Sequence, residues 1–341
     1  MADSVLDLGG TSNGLPIIEK FHSMRELDAV LGRTGYETSH FQTSWGRPMT
    51  GEVRMVAHDD CSVISLRSNA SITGTGSRDM LKSTFAFNTG KNTIYWKNQP
   101  VGRNDIAGFN LAEEASHYRL ESASKLVAVF FRRSAVTASI EQLGYEDVLE
   151  TMEGSNHVRC NEQQLDDFKR LVLARLSSGA MVAPRQGGDP LLQAILLLRD
   201  CEQRNQALGD GRSHIHPSIM RECVKAARSV ANNQNSWVVP TVDEFRRSCG
   251  YGASSVNNAC HDLYGMPAKR VLIGIRMENA IELLTNPIRA NQLGCGSSVR
   301  QIADFLGTTV RTLGENMKEY WNRSPAWVKE EGQKRKKIMT A

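Results

Sequence analysis

The sequence lacks any apolar run suited to a membrane. Stretches such as AILLL at 194–198 fall far short of the roughly 20 residues that a bilayer-spanning helix needs. Its first residues, MADSVLDLGGTSNG, carry neither a basic n-region nor an apolar h-region, so no signal peptide is expected and the chain reads as cytoplasmic, with no membrane partner. The seven cysteines, Cys61, Cys160, Cys201, Cys223, Cys249, Cys260 and Cys295, are odd in number and include no CxxC, which suggests neither a disulfide framework nor a zinc ribbon. Phosphate-loop chemistry is missing too. The segments GTGS at 74–77 and GYGASS at 250–255 are not followed by Gly-Lys-Ser/Thr. His214-Ile215-His216 and the His157/Cys160 pair offer two ligands each where a metal site needs three or four, so neither a metal nor a cofactor is expected. No Ser/His/Asp pattern stands out, and no catalytic residue is assigned.

What is present is ordinary globular composition, 40% hydrophobic and 23% charged in 341 residues, enough for two or three domains. The net charge of +4 is uneven. Residues 237–341 hold 15 Lys+Arg against 10 Asp+Glu, and the other 26 and 27 nearly cancel. A nucleic-acid-binding module joined to a neutral domain has that distribution.

Residues 50–131 read mostly as strands: EVRMVA, CSVISLRS, STFAFN, NTIYWK and KLVAVFF, with SNASITGTGS and NTGKN as punctuation. Their number and spacing suggest a small barrel or sandwich. Helical periodicity follows at Ser134–Leu143, Gln163–Leu176, Pro190–Leu208 and Pro217–Ala231, and the chain is helical throughout from Pro240. The expected fold is α+β. A strand-rich effector or regulatory domain spans 1–131 (a polar leader to about 20), a helical linker or dimerisation segment spans 132–235, and an all-α DNA-binding domain spans 236–341. That last fragment is expected to fold alone.

The last domain contains a repeat. In SVRQIADFLGTTVRTLGENMKEYW, from Ser298, the residues Val299, Ile302, Ala303 and Leu306 make one helical face. Gly307 breaks the helix, Thr308 or Thr309 caps the next, and Val310, Leu313, Met317 and Tyr320/Trp321 form a second stripe. Fifty-seven residues upstream, Thr241, Phe245, Gly250, Val256, Cys260 and Tyr264 fall on Ser298, Ile302, Gly307, Leu313, Met317 and Trp321 (298 − 241 = 57). The apolar frame and turn glycine recur while the polar residues differ, as two helix-turn-helix copies reading different bases would require. Between them, Ile273, Met277, Ala280, Ile281 and Leu284 give one face of a linker helix.

This arrangement resembles the DNA-binding domain of the AraC/XylS family of bacterial transcription regulators. Arg276, Met277, Ala280 and Leu284 follow that family's R-L-x-x-A-x-x-x-L linker, after Gly265-Met266. Asn322 to Lys329 stand where its G-x-S-P-x-x-Y-R lies. The sequence departs from it at Leu306-Gly307-Thr308-Thr309 and in a long loop at 285–297. The resemblance implies a transcription regulator that binds double-stranded DNA. It also implies a small-molecule effector in the strand-rich domain, homodimerisation through the middle helices, and RNA polymerase as a partner if the protein activates.

A recognition helix presents its N-terminal residues to base edges. That points Ser254, Ser255, Asn257 and Asn258 outward in the first copy and Thr309, Arg311, Thr312 and Glu315 in the second. Asn suits adenine, Arg suits guanine, and Glu accepts from cytosine. Lys269, Arg270, Arg300, Lys318 and Arg323 are phosphate candidates, which position without specifying. KRKK at 334–337 reads as a solvated tail. Trp96, Tyr95, Phe85, Phe87, Tyr118 and Arg119 are aromatic and polar residues that either line an effector site or build the core. The rival reading is an enzyme or small-molecule-binding protein acting through residues 50–230, with a C-terminus that only packs.

Overall fold

The structure, a computed structural model, describes residues 16–33, 38–58, 61–77, 81–111, 115–177, 188–201, 203–205, 216–233 and 237–339. The chain forms two bodies. The first comprises 1–21, 28–38 and 51–212, and the second 22–27, 39–50 and 213–341.

In chain order the first elements are β1 (Ile17–Phe21), α1 (Met24–Gly32), β2 (Thr38–Gln42), β3 (Gly51–Ala57), β4 (Ser62–Ser68), β5 (Ile72–Ser77) and β6 (Lys82–Asn88). Next come β7 (Ile94–Trp96), β8 (Gln99–Val101), β9 (Asp105–Ala107), β10 (Ala115–Leu120) and β11 (Lys125–Arg132). They are followed by α2 (Arg133–Leu143), α3 (Glu146–Gly154), β12 (His157–Arg159), α4 (Glu162–Ser177), α5 (Pro190–Arg199) and β13 (Gln203–Asn205). One sheet runs β1-β3-β4-β11-β6-β9-β12-β13 and the other β2-β5-β10-β7-β8.

The central strands of the larger sheet are buried on both faces, and alternation sorts their side chains. From β11, Val127, Val129 and Phe131 join Phe85 and Phe87 of β6 in the core that α2 to α5 cover. The intervening Leu126, Ala128 and Phe130, with Ile64, Leu66 and Thr84, turn to the other side. There, with Leu31, Thr38, Trp96 and Tyr118, they enclose an apolar cavity of about 70 Å³. Thus Trp96 and Tyr118 line a cavity, whereas Phe85 and Phe87 are core. Tyr95 stacks under the Arg119 guanidinium, 4.0 Å from the ring centre.

Two expectations change here. The stretch SITGTGS is not punctuation but β5, which pairs along β10. Its glycines hid the strand, and Gly74 is there because a Cβ would lie 2.4 Å from the Tyr118 ring. The helix from Pro190 stops at Arg199, where Asp200 caps it and forms an ion pair with Arg199 at 2.6 Å. Gln203–Asn205 then pairs with β12. Leu165, Phe168, Val172 and Leu176 of α4 and Ala194, Ile195, Leu197 and Leu198 of α5 are buried against their own sheet.

The second body holds α6 (Pro217–Asn232), α7 (Val242–Cys249), α8 (Ala253–Tyr264), α9 (Ala268–Thr285), α10 (Pro287–Gln292), α11 (Val299–Phe305), α12 (Val310–Trp321) and α13 (Pro325–Met339). α10 occupies the long loop. α9 is central rather than one-faced: Leu272, Ile275, Met277, Ala280, Ile281, Leu283 and Leu284 are all buried, and Ile273 only partly. No described helix is long and apolar enough to cross a membrane.

Candidate nucleic-acid interface

Both repeat copies start with the same cap. Thr241 Oγ1 accepts from Glu244 N at 3.3 Å, and Glu244 Oε2 accepts from Thr241 N at 2.8 Å. Ser298 Oγ accepts from Gln301 N and Gln301 Oε1 from Ser298 N, each at 3.2 Å. These are capping boxes, which hold two of the orphan N–H groups at each helix start. The bonds from Thr241 hold the Glu244 carboxyl below its ordinary range.

The correspondence continues through the turn. Gly250 and Gly307 have φ of 74° and 66°, and each donates its N–H to the carbonyl three residues back, Arg247 and Asp304, at 3.1 Å. Phe245, Cys249, Val256, Cys260, Leu263 and Tyr264 are buried in the first copy. Ile302, Leu306, Leu313, Met317, Tyr320 and Trp321, each 57 residues on, are buried in the second. Both second helices end in the left-handed region, on Gly265 (φ 68°) and Asn322 (φ 54°). Val310, expected in the apolar stripe, is instead exposed at 46% because it opens α12 ahead of the core-facing Leu313.

The candidate base readers separate into groups. Ser254 and Asn258 are exposed and Ser255 partly so. Asn257 leans inward, and its Oδ1 accepts from Ala268 N at 3.2 Å. That bond caps α9, whose own N-cap is Pro267 without a side-chain acceptor. Asn257 thus caps α9 through its Oδ1 while remaining half-exposed. In the second copy Thr309, Arg311, Thr312 and Glu315 are all exposed. Thr309 Oγ1 accepts from Thr312 N at 3.0 Å. Arg311 Nε lies 2.9 Å from Glu315 Oε1, one turn along the helix, and the pairing pushes the guanidinium pKa up further.

The phosphate candidates divide as well. Lys269, Arg300 and Lys318 are exposed. Arg270 is occupied: it pairs with Glu319 Oε1 at 3.1 Å and its guanidinium lies 4.2 Å from the Trp45 ring centre. Arg323 lies over Trp327 at 4.9 Å.

Several supporting residues had no sequence signal. Glu278, on α9, is buried. Its Oε2 accepts from Met24 N at 2.7 Å and its Oε1 from the Tyr320 hydroxyl at 2.8 Å. Burial drives its pKa up to about 7, against the lowering by those two bonds and by Arg25. Asn279 donates to Trp237 O at 3.0 Å and accepts from Arg25 Nε at 3.1 Å. Trp321 Nε1 donates to Gln42 Oε1 at 3.3 Å, and Gly46 N donates to Tyr320 O at 2.9 Å. Phe41 packs on Tyr264 and Trp45 on Tyr320, with ring centres 4.9 and 5.2 Å apart. The only hint was two polar residues, Glu278 and Asn279, inside an otherwise apolar helix; nothing near residues 22–50 pointed this way.

Solved structures of two proteins are similar to this chain. The AraC-like transcriptional activator CuxR is 9% identical over 72% of this chain and 89% of its own, with a TM-score of 0.38. ToxT from Vibrio cholerae is 10% identical over 92% and 97%, with a TM-score of 0.28. ToxT bound to (E)-4-(8-methylnaphthalen-1-yl)but-3-enoic acid scores 0.27 at 10% identity, over 92% of this chain and 97% of its own. No family model and no curated protein matches. Likeness at this level decides nothing about activity, which rests on the geometry above.

The metal candidates lie apart. His157 pairs with Asp105 at 3.0 Å, His216 caps α6, and His214 lies outside the described residues. Among the described residues no group of three or more His, Cys, Asp or Glu could hold a metal ion.

Proposed function

We propose that the protein is a sequence-specific DNA-binding regulator of transcription that places α8 and α12 in adjacent major grooves. The carrying observation is the twofold use of one helix-turn-helix frame, from capping box through turn glycine to left-handed terminus, with unlike polar faces. A domain serving only to pack has no need of two such frames. Ser254, Ser255 and Asn258 read one groove, and Thr309, Arg311, Thr312 and Glu315 the other. Lys269, Arg270, Arg300, Lys318 and Arg323 hold the backbone.

The cavity between the sheets of the first body is the proposed effector site. Its described lining has no charged residue, and two of its walls carry polar atoms without a hydrogen-bond partner, Thr38 Oγ1 and Trp96 Nε1.

The test is selection of bound duplexes from a genomic fragment pool by the full chain, followed by salt titration. Enrichment of a discrete motif, with affinity falling steeply as salt rises, is expected. A folded protein with no duplex binding even at low salt removes the reading.

A further inference from the structure

A separate cleft of about 800 Å³ opens in the first body, far larger than the apolar cavity and within the range of small-molecule sites. Two of its walls are turns, the 88–93 connection between β6 and β7 and the 100–103 segment leading to β9. The third is one face of α4, which presents Asp166, Lys169, Arg170 and Leu173 at i, i+3, i+4 and i+7.

Its charge is one-sided. Lys91, Arg103, Lys169 and Arg170 line it against the single carboxylate of Asp166. Lys169 is 9% exposed. Its ammonium donates to Arg103 O at 2.5 Å and lies 3.8 Å from Asp166 Oδ1. Burial depresses its pKa, the Arg103 charge adds to that, and Asp166 opposes both. Arg170 is paired with Asp167, outside the lining. Side chains of like charge gathered around a shared space repel one another. An anion entering that space is attracted by all four, and arginine forks match phosphate and carboxylate oxygens two at a time.

We propose that this cleft binds a small polyanion bearing phosphate or carboxylate groups. The site is independent of the DNA-binding reading and distinct from the uncharged cavity.

Full-length protein is titrated with inorganic pyrophosphate and, separately, citrate at matched ionic strength, by calorimetry and thermal melting. The exposed pair Arg103→Ala/Arg170→Ala is the variant, with its ligand-free melt and duplex DNA binding as controls. Saturable binding of one anion per chain, weakened at least tenfold in the variant while duplex binding is unchanged, supports the site. The anion that binds more tightly identifies the acid group. The proposal is overturned if both anions act no differently from sodium chloride, or if the variant binds them as well as the parent. It is also overturned if the variant loses duplex affinity, because the cleft would then be part of the DNA surface.

Discussion

Glu278 is a carboxylic acid with only 6% of its surface exposed, and its two hydrogen bonds only partly offset the cost of ionising there. The folded protein keeps the proton up to about pH 7, whereas the unfolded chain releases it near 4.5. Between those values the native state binds more protons, so this residue's contribution falls as pH rises and levels off above about 7. The span corresponds to about 3 kcal/mol. Melting parent and Glu278→Gln side by side at about pH 5 and pH 8 should show the parent losing more stability on the alkaline side. The amide can still accept from Met24 N and has no charge to bury. Parallel pH curves would mean that Glu278 does not titrate in this range. Gly250 gives a second test at this scale. A Cβ there meets nothing within 4 Å, so Gly250→Ala isolates the cost of φ near 74°. About 1 kcal/mol is expected from denaturant titration. Gly250→Asn should lose less, as Asn322 already occupies the left-handed region at the end of α12.

At the scale of elements, α12 would reach DNA, on the proposed reading, with its Arg311 and Glu315 paired to each other. Exposed pairs one turn apart are weak, so opening this one to meet guanine and cytosine costs little. Arg311→Ala should weaken operator binding roughly tenfold to a hundredfold and relax preference at one or two base pairs. Arg270→Ala should instead weaken all duplexes alike and lower the salt slope. Equal loss on operator and random DNA would make Arg311 a backbone contact. α9 has 18 residues, which at 1.5 Å each is about 27 Å. With packing at both ends, that suits recognition helices about one DNA turn apart. Two protected blocks about 10 base pairs apart are expected, and inserting about 5 base pairs between them should abolish tight binding. Tolerance of that insertion in a footprint would show that only one helix reads DNA.

These elements were the legible part of the sequence. Period-3.6 stripes and turn glycines are local signals, and the repeat doubled them, so both copies of the frame could be read before the structure. The sheet was less legible. β5 was masked by its glycines, and short strands such as β12 and β13 are defined only by pairing with distant partners. Among the site residues, the capping of α9 by Asn257 was not legible, because periodicity reports which face a side chain occupies but not that its amide caps the following helix.

At the scale of the molecule, the second body is not the last third of the chain alone. Phe41, Cys223, Ala226 and Ala227 share a core with Phe245, Val256 and Tyr264, and Trp45 packs against it. A fragment of 236–341 discards all of these, so it is expected to melt at lower temperature and less cooperatively than the same body in the intact chain, contrary to its expected independence. Adding residues 213–235 should recover part of the loss by restoring α6. Full stability in the shorter fragment, by circular dichroism and thermal melting, would show that residues 22–50 are dispensable to this body.

The two bodies take turns along the chain: the backbone passes from one to the other at 21/22, 27/28, 38/39, 50/51 and 212/213. During synthesis, Met24 and Gln42 leave the ribosome early, yet the partners of their hydrogen bonds lie 254 and 279 residues later. Closing loops of that length is slow, and until it happens these polar groups bond to water instead. The second body therefore completes itself only after these distant partners have emerged. A truncated translation product that retains every described strand of the first body would still lack the proposed second reader, and on that reading a nascent chain would not engage both halves of an operator before α12 is made.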